Sequence, residues 1–100
     1  MMYLVESQST KLSASGIVTS QPALMLGVQI GMDATNDLTL TIYNGVDNTG
    51  TETLPTNQYD ASALGLNGVV MPYGKHCPNG IYLEMTCAGT AEVVIDWIRK

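Results

Sequence analysis

The residues best able to do chemistry are few. The chain has one histidine, His76, and two cysteines, Cys77 and Cys87. A catalytic thiol needs an imidazole within hydrogen-bond reach and a third group to orient that ring. His76 and Cys77 are neighbours in a stretch framed by Pro72, Gly74 and Pro78. Adjacent side chains of extended backbone point apart, so the two make a poor dyad. His76 with Cys87 is the other pairing, and no spacing marks it. Zinc takes three or four Cys, His or carboxylate ligands, usually with a closely spaced pair such as Cys-x-x-Cys. No such pair exists, so no metal ligand is assigned.

The oxygen ligands give a similar answer. Asp33 and Asp37 bracket one polar stretch, and Asp47 lies near Asn44 and Asn48 in another. Calcium uses such groups, but neither segment has the full EF-hand pattern or its terminal glutamate. Turn chemistry accounts for both, because Asp and Asn tolerate left-handed backbone and bond to nearby amides. Glu84, Glu92 and Asp96 offer carboxylates that a glycosidase would need on either side of a sugar. With so few basic neighbours they are expected to act as solubilising charges on an outer face. No Gly-rich phosphate loop opens a helix. Tyr3, Tyr43, Tyr59, Tyr73, Tyr82 and Trp97 are dispersed, with Tyr43 and Tyr82 expected on outer faces, where tyrosine favours interfaces. No catalytic or cofactor-binding residue is assigned, and the chain is not expected to be an enzyme.

Charge narrows the partners. Lys11, Lys75, Arg99 and Lys100 are the only Lys or Arg residues, against nine acids, for a formal net charge of −5. Nucleic-acid binding needs clustered cations and is not expected. The same deficit removes a basic face for an anionic membrane. No stretch approaches the ~20 apolar residues of a spanning helix. Met1–Glu6 lacks a basic segment and a long apolar run, so no signal peptide is expected and the cysteines are read as thiols.

The elements that must position these groups read as strands. One hundred residues suit one domain, and only 13% are charged, about half the usual share. So few charges leave strand edges poorly guarded and suggest edges covered by partners. Residues 1–10 are expected to be an N-terminal arm or short edge strand, and residues 11–100 a β-sandwich domain. Leu24, Leu26, Val28, Ile30 and Met32 fall on one face at period two. Leu38, Leu40 and Ile42 alternate with Thr39, Thr41 and Tyr43, and Asn44-Gly45 through Gly50 supplies a turn. Thr51–Leu54 returns as a short strand stopped by Pro55. Thr56–Leu66 is read as loop, irregular strand or a helical turn at Ala61–Leu64. Val69–Met71 is a strand ended by Pro72 and Gly74. The clearest pair is Ile81–Cys87 and Ala91–Ile98, expected as a hairpin through Ala88-Gly89-Thr90. Seven to eight short strands of this kind predict an all-β, antiparallel β-sandwich, jelly-roll or immunoglobulin-like.

The run Leu38-Thr39-Leu40-Thr41-Ile42-Tyr43-Asn44-Gly45, then Asp47-Asn48-Thr49-Gly50-Thr51, is one distinctive stretch, and a second lies later in the chain. There Pro78-Asn79-Gly80-Ile81-Tyr82-Leu83-Glu84 precedes Gly89-Thr90-Ala91-Glu92-Val93-Val94-Ile95. Together, over residues 24–98, these segments resemble small β-sandwich structural proteins of tailed bacteriophages. The resemblance implies a virion component assembled in the host cytoplasm, foremost a capsid decoration (cement) protein. Such a protein binds the major capsid protein or another virion structural protein, and a homo-oligomer, with a trimer favoured, is implied. A neck, tail or head-fibre component is the alternative, and a small carbohydrate-binding module a second.

Overall fold

The computed structural model describes residues 7–33, 35–60 and 67–100. Among them every regular element is a strand: β1 (Gln8–Leu12), β2 (Gly16–Thr19), β3 (Ala23–Met32), β4 (Leu38–Asn44), β5 (Thr51–Tyr59), β6 (Asn67–Cys77), β7 (Ile81–Cys87) and β8 (Ala91–Arg99). They form two four-stranded antiparallel sheets, β1-β8-β3-β6 (sheet A) and β2-β7-β4-β5 (sheet B). The pairings β1–β8, β2–β7, β3–β6 and β4–β5 describe a chain folded back on itself around the β4–β5 turn. Every other connection passes from one sheet to the other.

The sheets are held by the apolar row each strand turns inward. Sheet A contributes Ala23, Met25, Val28, Ile30, Cys77, Ala91, Val93, Ile95 and Trp97; sheet B contributes Leu38, Leu40, Ile42, Ile81 and Leu83. Leu38, Leu40 and Ile42 alternate with Thr39, Thr41 and Tyr43 as the sequence pattern requires. Trp97 seals the β1 side of this core, and its Nε1 donates to Thr10 Oγ1 at 3.1 Å. A buried indole N–H needs such a partner.

The strands Ile81–Cys87 and Ala91–Ile98 form where expected, but they do not make a hairpin. β7 pairs with β2 and β4, while β8 pairs with β1 and β3. Ala88-Gly89-Thr90 is an arch between sheets. Alternation specifies that each strand has one apolar face; it does not say whether two such faces lie side by side or confront each other. Here they confront each other, so the inner rows of both strands still share one core.

Three further departures have local causes. Leu24 and Leu26 leave the inner face, which Ala23 and Met25 take instead, because the register of β3 against β8 shifts between Met25 and Gly27. The extra residue of such a bulge reverses the alternation on one side of it. Val28 and Ile30 then point inward as expected. Pro55 does not stop β5, which runs to Tyr59. It lies on an edge strand where the register against Leu40 and Ile42 is already shifted, so its missing N–H costs no regular ladder bond. Pro72 and Gly74 do not end β6 either: Gly27 opposes Val70 and Met25 opposes Lys75, so the strand makes an excursion and resumes. The suggested helical turn at Ala61–Leu64 and the first six residues of the suggested arm lie outside the described residues. β1 itself is an edge strand.

Trp97→Ala is expected to cost ~3–5 kcal/mol in chemical denaturation, as for other large buried aromatics. Gly80 has φ +107°, and a Cβ there would sit 2.6 Å from the Thr19 carbonyl oxygen. Gly80→Ala is therefore expected to lower stability by more than about 1 kcal/mol in the same assay, with the fold retained.

Candidate functional site

The chemistry-bearing residues do not converge. Cys77 is buried and His76 exposed, on opposite faces of β6. Cys77 and Cys87 are both free thiols. Asn44 at the end of β4 pairs with Ile81, near Cys77, while Leu38 at its start pairs with Cys87. Seven strand residues separate the two thiols by ~20 Å, beyond disulfide reach. Burial pushes the Cys77 thiol up, against the opposing effect of the Thr53 hydroxyl 3.8 Å away, so it is a poor thiolate. Glu84 lies on the outer face of sheet B, and Glu92 and Asp96 on that of sheet A. The three carboxylates cannot flank one substrate. Asp96 accepts from Ser9 Oγ at 2.6 Å and Gln29 Nε2 at 3.3 Å, and Glu92 sits 3.8 Å from Lys11 Nζ.

Asp33 is a structural carboxylate. It accepts from the amides of Thr35 and Asn36 at 2.8 Å each and from that of Thr90 at 2.6 Å, while its own N–H donates to the Thr90 carbonyl at 2.9 Å. It thus ties the β3–β4 connection to the β7–β8 arch. A Cβ on Gly89 would collide with Asp33 Oδ2, which explains the glycine. The amides of Thr35, Thr90 and Asn36, in that order, lower its pKa to about 2. Asp47 plays a smaller version of this role, accepting from the Thr49 hydroxyl at 2.5 Å and the Thr49 amide at 3.0 Å. Both carboxylates spend their lone pairs on protein donors, and Asp37 is bonded to Gln58 Nε2 instead of converging on Asp33. Among the described residues no group of three or more acidic, His or Cys side chains is placed to hold a metal.

What does converge is the outer face of sheet B. Ile17, Tyr82, Tyr43 and Glu52 lie in one row across β2, β7, β4 and β5. The Tyr43 and Tyr82 rings are 6.3 Å apart and inclined by 44°, a spacing at which tilted aromatic pairs attract. Ile17 is 51% exposed at one end of the row, and Val46, 45% exposed, projects from the β4–β5 turn. Glu84 stands opposite Thr41 on the same face and accepts from Asn48 Nδ2 at 3.1 Å. Partial burial, then Glu84, then Glu52, raises the Tyr43 pKa, so the phenol stays neutral and able to donate. Thr41 and Thr56 hydroxyls pair at 2.7 Å beside it. The strands of sheet B carry Glu52 and Glu84 and no Lys, Arg or His. This face is therefore aromatic at its centre and acidic at its margin: a surface suited to contact.

Sequence reading placed Tyr43 and Tyr82 outside but not beside each other, because only pairing of β4 with β7 aligns them. Alternation sets Ile17 on the face of Ser13 and Ser15, but its place beside Tyr82 follows only from the pairing of β2 with β7. Tyr59, by contrast, opposes Leu38 and turns toward the core. Comparison with protein families, curated proteins and solved structures returns no match for this chain.

Because the folded pKa of Asp33 is depressed, its contribution to stability is present above pH ~4 and is lost as pH falls toward 2. Asp33→Asn is expected to lower the melting temperature at neutral pH. It should also flatten the loss of stability between pH ~4 and 2 seen by thermal melts of the parent.

Proposed function

We propose that this chain is a non-enzymatic structural protein of a tailed-bacteriophage particle, foremost a capsid decoration protein with a jelly-roll sandwich. The observation that carries the reading is the folded-over strand order combined with an outward face built for contact. Strand orders β1-β8-β3-β6 and β2-β7-β4-β5, with every connection but one crossing between sheets, support a jelly-roll reading of the sandwich. That architecture recurs in viral capsid proteins and lectins. An immunoglobulin-like sandwich would pair its first strands within one sheet more often.

The surface fits the same reading. A decoration protein must spread over a shell, with little charge to desolvate and aromatic groups to anchor the contact. Ile17, Tyr43 and Tyr82 supply that anchor, and Glu52 and Glu84 give it a sign. Repetition over a symmetric shell, or within a homo-oligomer such as a trimer, multiplies individually weak contacts. A carbohydrate-binding module is the second reading, favoured by the presence of Tyr43, Tyr82, Glu84 and Asn48 on one side of the sandwich.

Imaging of purified particles that contain the chain tests the proposal. Density for it at regular points of the capsid lattice is expected. Density confined to one vertex would assign it to the neck, tail or a head fibre, and its absence from particles would overturn the virion reading. Tyr82→Ala should weaken capture on heads by at least about tenfold, if the tyrosine is an interface anchor. Heat on titration with glycans, lost in the same variant, would favour the carbohydrate module.

A further inference from the structure

The outer carboxylates of the two sheets have different surroundings. On sheet A, Glu92 sits 3.8 Å from Lys11 Nζ, and Asp96 accepts from Ser9 Oγ and Gln29 Nε2. On sheet B, Glu52 accepts no hydrogen bond and meets no cation among the described residues. Glu84 Oε2 accepts from Asn48 Nδ2 at 3.1 Å, which orients the carboxylate without neutralising it. No strand of sheet B carries a cation: Lys11, Lys75, His76 and Arg99 all belong to sheet A, and Lys100 follows it. Register sets both sheet B acids around Tyr43. Glu52 is its direct neighbour on β5, and Glu84 stands two residues from Tyr82, its neighbour on β7. A directly opposed residue lies about 5 Å away and a diagonal one about 7–8 Å, so one group lying on the ring can reach both. After partial burial, Glu84 and then Glu52 raise the Tyr43 pKa, as anions close to a phenol must. Tyr82 tilts against Tyr43, and exposed Ile17 ends the row.

We infer that the occupant of this face is a protein surface presenting an arginine among apolar side chains, its guanidinium lying on the Tyr43 ring between Glu52 and Glu84. Charge complementarity selects this occupant, because two carboxylates with no cation of their own flank an aromatic pair. A planar guanidinium stacks on an aromatic ring and bonds carboxylates through a fixed fork, which a lysine ammonium does not. The apolar neighbours of that arginine meet Tyr82 and Ile17. The same face of a second copy is a poor occupant, since it would set Glu52 and Glu84 against their own counterparts. The inference names the chemistry of the partner in the proposed function and rests on the contact role given there to this face. It is tested on the purified chain alone, so its failure and the failure of particle binding are separate results.

The test is a titration of the isotope-labelled protein with the end-blocked peptide Gly-Leu-Arg-Leu-Arg-Gly over roughly 10 µM to 10 mM, read by backbone amide NMR shifts. Saturable shifts are expected at Ile17, Tyr43, Glu52, Tyr82 and Glu84. The peptide with glutamate in place of arginine should give none, and the lysine version should bind at least about threefold more weakly. Glu52→Gln with Glu84→Gln should weaken binding of the arginine peptide at least about tenfold. Glu92→Gln with Asp96→Asn makes the same change of net charge on the other sheet and should leave binding unchanged. The amide spectra of both variants report that the fold is retained. No saturable shift, shifts spread over both sheets, equal binding of the glutamate or lysine peptide, or equal weakening in both variants would each overturn the inference. Shifts of the same amides on concentrating the protein alone would overturn it in favour of a second copy. Shifts there with maltoheptaose and none with the arginine peptide would overturn it in favour of a glycan.

Discussion

Burial of two apolar sheet faces against each other is the constraint on which the rest of this molecule depends. Neither sheet has enough width to bury its own face, and a domain of this size has room for one core. The inner rows of β3 and β8 therefore have one place to go, against those of β4 and β7. The crossings between sheets follow. Delivering successive strands to opposite layers sets their apolar faces against each other, and only the β4–β5 turn keeps two neighbours in one sheet.

That constraint also explains how much was legible beforehand. Leu38, Leu40 and Ile42, or Val93, Ile95 and Trp97, announce their inner faces because alternation is a property of a single strand. Pairing is a property of two, and the arch at Ala88–Thr90 looks like a hairpin turn because three small residues serve either purpose. What makes it an arch is Asp33, which is distant in sequence and holds it from the β3–β4 connection. The bulge at Leu26 was hidden for a related reason. Leu24 and Leu26 are as apolar as Met25, so composition could not show which of them the ladder would turn outward. Pro55 and Pro72 do not stop their strands, since an edge strand or an irregular stretch tolerates proline.

The candidate surface was half legible. Tyr43 and Tyr82 could be assigned to outer faces from alternation alone, but their contact, and the alignment of Ile17 and Glu52 with them, required the order β2-β7-β4-β5. The separation of charge between the sheets had the same origin. The chain's total of −5 says only that it is acidic. The strand order distributes that charge, sending the free cations to one sheet and leaving the other with carboxylates beside its aromatic row. Fold and surface therefore rest on one fact, the pairing order.

Nuclear Overhauser contacts between backbone protons of the isotope-labelled protein measure that order directly. The account places Met85 opposite Leu40 and Ile95 opposite Thr10 and Val28. Cross-strand contacts should therefore link β7 to β4 and β8 to β1 and β3, with side-chain contacts alone between β7 and β8. A backbone ladder joining Ile81–Cys87 directly to Ala91–Trp97 would contradict it.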